Sequence, residues 1–188
     1  MCLRIRKLRD GAIYHVTSKV NRRLRKLRDG AIYHGTSKVN RRLRDLQLRD
    51  IKAMFLVFLK KAKQKYPFEL LNFCIMDNHF HLIIRPGPGQ SLSRIMQWVK
   101  GNFARYWNKL HHTEGHLWGG RFFSKIIEDV AQFLKTVTYI DENPVKAQLV
   151  AKAEDWEFGG LYHDLHGRFD VVDIPRSAIQ SYASTQLE

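Results

Sequence analysis

Acidic residues are scarce in this chain. Eighteen Asp and Glu stand against 32 Lys and Arg, a formal net charge of +14. That surplus points to a polyanion, nucleic acid first and an anionic membrane surface second. Cysteine is almost absent. Cys2 and Cys74 are the whole supply, which excludes a disulfide framework and any CxxC zinc motif and fits a reducing compartment. Long apolar runs are also missing: the longest, Ala53 to Leu59, is far too short to span a bilayer. The opening MCLRIRKLRD has no apolar core of a signal peptide. The expected location is therefore cytoplasmic, beside the nucleoid of a bacterial-type cell, with no membrane. Aromatic residues, by contrast, make up 12% of the chain. Several lie among the basic residues, as they do in proteins that stack bases while pairing phosphates.

A tandem repeat opens the sequence. KLRDGAIYHVTSKVNRRLR, Lys7 to Arg25, is followed at once by KLRDGAIYHGTSKVNRRLR, Lys26 to Arg44, and the copies differ only at Val16 and Gly35. Two copies are too few for a solenoid. Each contains an alternating stretch that reads as a strand, and the second connects directly to the rest of the domain, so it is the expected first strand. Gly35 inside it is a candidate bulge. Downstream, Ile51, Met54, Phe55, Phe58 and Leu59 recur at helical spacing, predicting a helix from about Arg49 to Tyr66 that Pro67 stops. Phe68 to Met76 and His79 to Arg85 read as two strands joined at Asp77-Asn78. Next come a helix capped by Ser91, a loop, a strand over RFFSKIIE, and a helix ending at the residue before Pro144. Strand, helix, strand, strand, helix, strand, helix is an α+β order. It predicts a ferredoxin-like antiparallel sheet (split βαβ) with helices on one face. The organisation expected is an extension over 1–25, one domain over 26–156 and an irregular tail over 157–188.

Within MDNHFHLII, His79 and His81 stand at i and i+2. On a strand that spacing puts both imidazoles on one face and Phe80 on the other. The pair is either a polar strand face or two ligands able to hold one cation between them. Tyr139 and Asn143, in TYIDENP, are four apart and share a helical face. They are either a tyrosine at a helix edge with a capping asparagine, or a nucleophile beside a polar helper. A divalent cation on two histidines and an oxygen donor suits phosphodiester chemistry.

MDNHFHLII resembles the HUH motif, His-hydrophobe-His. TYIDENPVKAQLV resembles the tyrosine helix of the REP-associated tyrosine transposases, a branch of the IS200-like, single-tyrosine HUH family. GAIYHVTSKVNRR, SLSRIMQWVKGNFARYWNK and GHLWGGRFFSKIIED match the same family in order. The resemblance implies that His79, His81 and Asn143 ligate Mg²⁺ or Mn²⁺, with Asn143 standing where the family often has Gln. It implies that Tyr139 attacks single-stranded DNA to form a 5′-phosphotyrosine link, and that the partner is hairpin DNA with a flanking single strand.

Arg105, Lys109, Arg121 and Lys100, with Arg41 and Arg42 of the second repeat, are the candidate DNA contacts. Trp98, Phe103 and Trp107 are assigned to the core face of their helix, and His112 and His116 to a surface loop. A monomer and a homodimer both remain open. Two other functions remain open as well: a decayed nucleic-acid-binding module, and a metal-dependent phosphodiesterase that uses water.

Overall fold

The computed structural model describes residues 30–40 and 46–173. The first repeat copy, Arg41, Arg42 and the last fifteen residues lie outside the described residues. Strand β1, Tyr33–Lys38, comes from the second copy. Helix α1, Arg49–Lys65, comes next and stops before Pro67. Strands β2, Phe68–Ile75, and β3, His79–Pro86, form the expected hairpin. Helix α2 is Leu92–Leu110, strand β4 Phe123–Ile126, and helix α3 Val130–Asp141. Two short helices follow among the described residues, α4 at Asn143–Lys146 and α5 at Gly160–Leu165.

The four strands lie in the order β2-β3-β1-β4, and every neighbouring pair is antiparallel. β1 and β2 therefore run the same way with β3 inserted between them, which is the split βαβ arrangement. Gly35 makes no bulge; it pairs regularly with Ser124. The irregularity falls instead in β2, where Leu70 opposes Ile84 and Asn72 opposes Ile83. The extra residue reverses the side-chain alternation. Phe68 and Leu70 before it, and Phe73 and Ile75 after it, thereby reach the same core as Phe80, Leu82 and Ile84. α1 covers that core with Ile51, Phe55, Leu59 and Ala62, and α2 covers it with Leu92, Ile95, Met96, Val99 and Phe103. Phe103 is fully buried, while Trp98 and Trp107 pack at the margin.

Helices cover both faces of the sheet, not one. Leu71, Cys74, Met76, Ile83 and Ile127 form a second core beneath Val137 and Ile140 of α3. The cause is visible in LLNFCIM, a run apolar but for Asn72, of the kind found where a strand is covered on both sides. The tail is also less irregular than expected. Phe158, Val171 and Val172 are buried in the first core. The free edge of β2 is engaged by this segment: the Ile75 amide donates to the Phe158 carbonyl at 2.9 Å, and the Leu70 amide donates to the Asp173 carboxylate at 2.6 Å. α5 is too short to have left a periodic signature. Gly160, which begins it, lies so close to β2 that a Cβ would collide with Asn72 Oδ1.

Candidate active site

The site lies on the α3 face of the sheet. β3 contributes His79 and His81; β1 contributes His34, Thr36 and Lys38, with Lys38 directly opposite His79. The 77–78 turn that leads into β3 is pinned from below. Buried Lys52 pairs with Asp77 at 2.8 Å and donates to the Gln47 carbonyl at 2.7 Å. α3 is aimed by its own start. Asp129 Oδ1 accepts from the Gln132 amide at 2.7 Å, and Gln132 Oε1 accepts from the Glu128 amide at 2.7 Å, satisfying two of the otherwise unpaired amides at a helix start. At its other end Asn72 Nδ2 donates to Asp141 Oδ1 at 3.1 Å, tying the helix to β2.

This frame brings His79, His81 and Tyr139 together. The His79 and His81 rings are 4.9 Å apart and nearly perpendicular. The Tyr139 ring meets His81 edge-on at 5.6 Å, and Tyr139 itself is 45% exposed. A solvent-facing tyrosine over buried His81 and half-buried His79 leaves room for a ligand arriving from outside. His79 Nδ1 lies 2.7 Å from Asn78 Oδ1; since that oxygen only accepts, the ring proton is on Nδ1 and the lone pair on Nε2. His81 Nε2 is buried with no hydrogen-bond partner, an arrangement that a cation would complete. Burial pushes both rings below the ordinary histidine range, and Lys38 adds to the effect at His79. Both are therefore neutral near pH 7, the form that ligates metal.

Asn143 sits one turn beyond Tyr139. Its amide NH₂ donates to the Tyr139 carbonyl at 2.6 Å, so Oδ1 is the end left to ligate. Among the described residues no three His, Cys, Asp or Glu side chains form a metal-holding group. A cation held here would have to draw on oxygen donors besides the imidazoles. Lys146 stands 5.7 Å above the Tyr139 ring and pairs with Glu142 at 2.6 Å.

One residue of the cluster was missed by sequence reasoning. His34 Nε2 lies 2.9 Å from His81 Nδ1, and burial lowers the His34 pKa to about 4. The signal was available in the alternation of AIYHGTSKV, which places His34 on the face opposite buried Tyr33. It becomes meaningful only once β1 is known to lie beside β3. Lys125, opposite His34 on β4, was missed for the same reason.

The candidate DNA contacts separate. Arg105 and Lys109 are exposed on α2. Arg121 is exposed and lines a cleft of about 590 Å³ with Asn40, His116 and Trp118. Lys100 departs from expectation: it is buried, and its ammonium donates to the Gly120 carbonyl at 2.8 Å. Its sequence position among exposed cations gave no warning, because the loop that covers it is distant in sequence. His112 and His116 lie on an exposed loop. Among the described residues no helix is long and apolar enough to cross a membrane.

Comparison with known proteins bears on this arrangement. A Haemophilus influenzae protein named for the REP-associated tyrosine transposases is 27% identical over 116 residues, covering 56% of this chain and 66% of that one. The REP-associated tyrosine transposase of Escherichia coli K12 is 25% identical over 111 residues, covering 56% and 61%. The chain thus spans just under two thirds of the length of these relatives. A solved REP-associated tyrosine transposase bound to a REP hairpin shares the fold, with a TM-score of 0.67 at 24% identity over 84% of this chain and 95% of the other. Residues 28–143, from the first described strand through the tyrosine helix to Asn143, match the model of the family described as "Transposase IS200 like", and the chain belongs to that family.

Proposed function

We propose that this protein cleaves single-stranded DNA beside a hairpin and transfers the strand through a covalent tyrosine intermediate. The observation that carries the reading is the buried, unpartnered Nε2 of His81 beside His79, with the half-exposed Tyr139 ring standing over the pair. The Tyr139 hydroxyl attacks the scissile phosphorus in line. A bond forms from Tyr139 Oη to phosphorus, the bond from phosphorus to the 3′ oxygen breaks, the phenolic proton is lost and the departing 3′ oxygen gains one. The product is a 5′-phosphotyrosine and a free 3′-OH. One phosphoester replaces another, so the step reverses when a different 3′-OH attacks. Mg²⁺ or Mn²⁺, held by His79 and His81 with Asn143 Oδ1, would polarise the phosphate as a Lewis acid. Lys38, Lys125 and Lys146 bring positive charge to the same face, where the backbone of a bound strand requires it. Arg105 and Lys109 lie on α2, across the sheet from the site, and with Arg121 offer a second basic surface for the duplex part of a hairpin.

The test uses labelled DNA hairpins with single-stranded flanks, incubated with Mg²⁺ or Mn²⁺ and run on a denaturing gel. A labelled band at protein size, lost in Tyr139→Phe and in the double variant His79→Ala/His81→Ala, is the expected result. Cleavage without an adduct would instead identify a water-using phosphodiesterase. Tight binding without cleavage under either metal would identify a binding module.

A further inference from the structure

We infer that His34 is a positioning residue that holds His81 in the tautomer protonated at Nδ1, so that the Nε2 lone pair of His81 faces the site; this rests on the reading of His79 and His81 as cation ligands. The two rings approach within 27° of parallel with centres 5.1 Å apart. That separation is close to the 2.9 Å contact between His34 Nε2 and His81 Nδ1 plus one ring radius on either side. The rings therefore meet edge to edge, with the shared proton close to the line between them, the geometry of a good hydrogen bond.

The proton can be supplied by either ring, and the surroundings of His81 decide which. Were His34 the donor, His81 would carry its own proton on Nε2. That atom is buried and has no acceptor, which is the costly way to leave a donor. With His81 as donor, Nε2 carries a lone pair, and the same burial describes a ligand awaiting a cation. His34 then accepts at Nε2 and keeps its proton on Nδ1. It is not a third ligand, since the nitrogen it turns towards His81 is committed to that bond. Asn78 Oδ1 does the corresponding work for His79. Each imidazole of the pair thus has its own acceptor behind it, one from the turn before β3 and one from the neighbouring strand. Outer partners of this kind fix ring orientation and raise ligand basicity.

The test begins with metal-free protein carrying ¹⁵N-labelled histidine. Long-range ¹H–¹⁵N correlation spectra report which nitrogen of each ring is protonated. The expected result is a protonated Nδ1 and an unprotonated Nε2 for His81, changing to the Nε2-protonated form in His34→Phe. His34→Gln, whose side-chain oxygen can accept from His81, restores the wild-type pattern. Mn²⁺ titration followed by electron paramagnetic resonance then reads the consequence: affinity roughly 10- to 100-fold weaker in His34→Phe and largely recovered in His34→Gln. A wild-type His81 protonated at Nε2, or a His34→Phe protein with the wild-type spectrum, overturns the inference. A wild type that binds no Mn²⁺ overturns the cation reading instead, and the metal-free spectra still decide the role of His34.

Discussion

Phe80 and His81 are adjacent on β3, yet their side chains enter different surroundings. Phe80 is fully buried, 4.8 Å from the Phe55 ring and 5.5 Å from Trp118, in a core that α1 and α2 close. His81 faces α3, where Leu71, Ile83, Val137 and Ile140 form a smaller core and give way to His34, His79 and an exposed tyrosine. Two long helices seal one face; a single helix of twelve residues covers part of the other. The difference teaches that one strand can anchor the fold and present chemistry at once, because its alternation sends successive residues to opposite sides. The packing of the α1/α2 face fixes β3, and with it the positions of the imidazoles on the α3 face.

The comparison breaks most visibly at its two aromatics. Phe80→Ala removes a large side chain from a closed core and should cost about 3–5 kcal/mol of folding stability. Tyr139→Phe removes one hydroxyl from a half-exposed ring and should change stability by no more than about 0.5 kcal/mol, while abolishing the covalent DNA adduct. Urea unfolding and the denaturing gel read the two quantities separately. Equal destabilisation by both substitutions would mean that the two faces are not divided in this way.

Acid should act on the histidine cluster of the α3 face. Burial lowers His34 to about 4 and lowers His79 and His81 in the same direction, whereas an unfolded chain titrates its imidazoles near about 6.5. Below that value the unfolded chain binds more protons than the folded one. Stability in the absence of metal is therefore fully present above about pH 6.5 and declines as pH falls towards 4. A loss of roughly 2 kcal/mol between pH 7 and pH 5 is expected in wild type from one such group, with a shallower decline in His34→Gln. Identical pH dependence in the two proteins would remove His34 from the buried neutral cluster.

The closed face was the legible one. Helical spacing in α1 and α2, the Ser91 and Pro67 boundaries and the Asp77-Asn78 hairpin all stem from local chemistry, and so does the split βαβ order. On the α3 face, His79, His81 and Tyr139 could be singled out because they carry motifs. His34 could not, since its meaning comes from strand register, which pairs residues 47 positions apart. The second helical layer was hidden for a related reason. The largely apolar run of β2 does not say what covers either side, and a bulge at Leu71 moves the alternation so that no simple period survives. The segment after Asp155 was unreadable because it docks through scattered contacts, Phe158, Val171 and Asp173, around a helix of only six residues.

Charge sharpens the comparison at its finest scale. Lys100 and Lys109 sit on the same helix, and in the sequence both look like phosphate contacts. Lys109 is exposed. Lys100 commits its ammonium to the Gly120 carbonyl at 2.8 Å, lies 5.4 Å from the Trp118 ring, and is lowered by burial to about 8. An exposed lysine on a phosphate releases a counterion on binding, and a buried one does not. Lys109→Ala should therefore reduce the slope of log affinity for hairpin DNA against log salt by about one unit. Lys100→Met should leave that slope unchanged and lower the unfolding midpoint, because it strips the Gly120 carbonyl of its donor. A salt slope that falls in Lys100→Met would show that the 115–121 loop opens to let this lysine reach the DNA, and the boundary between the sealed face and the binding surface would then lie one helical turn deeper than the free protein shows.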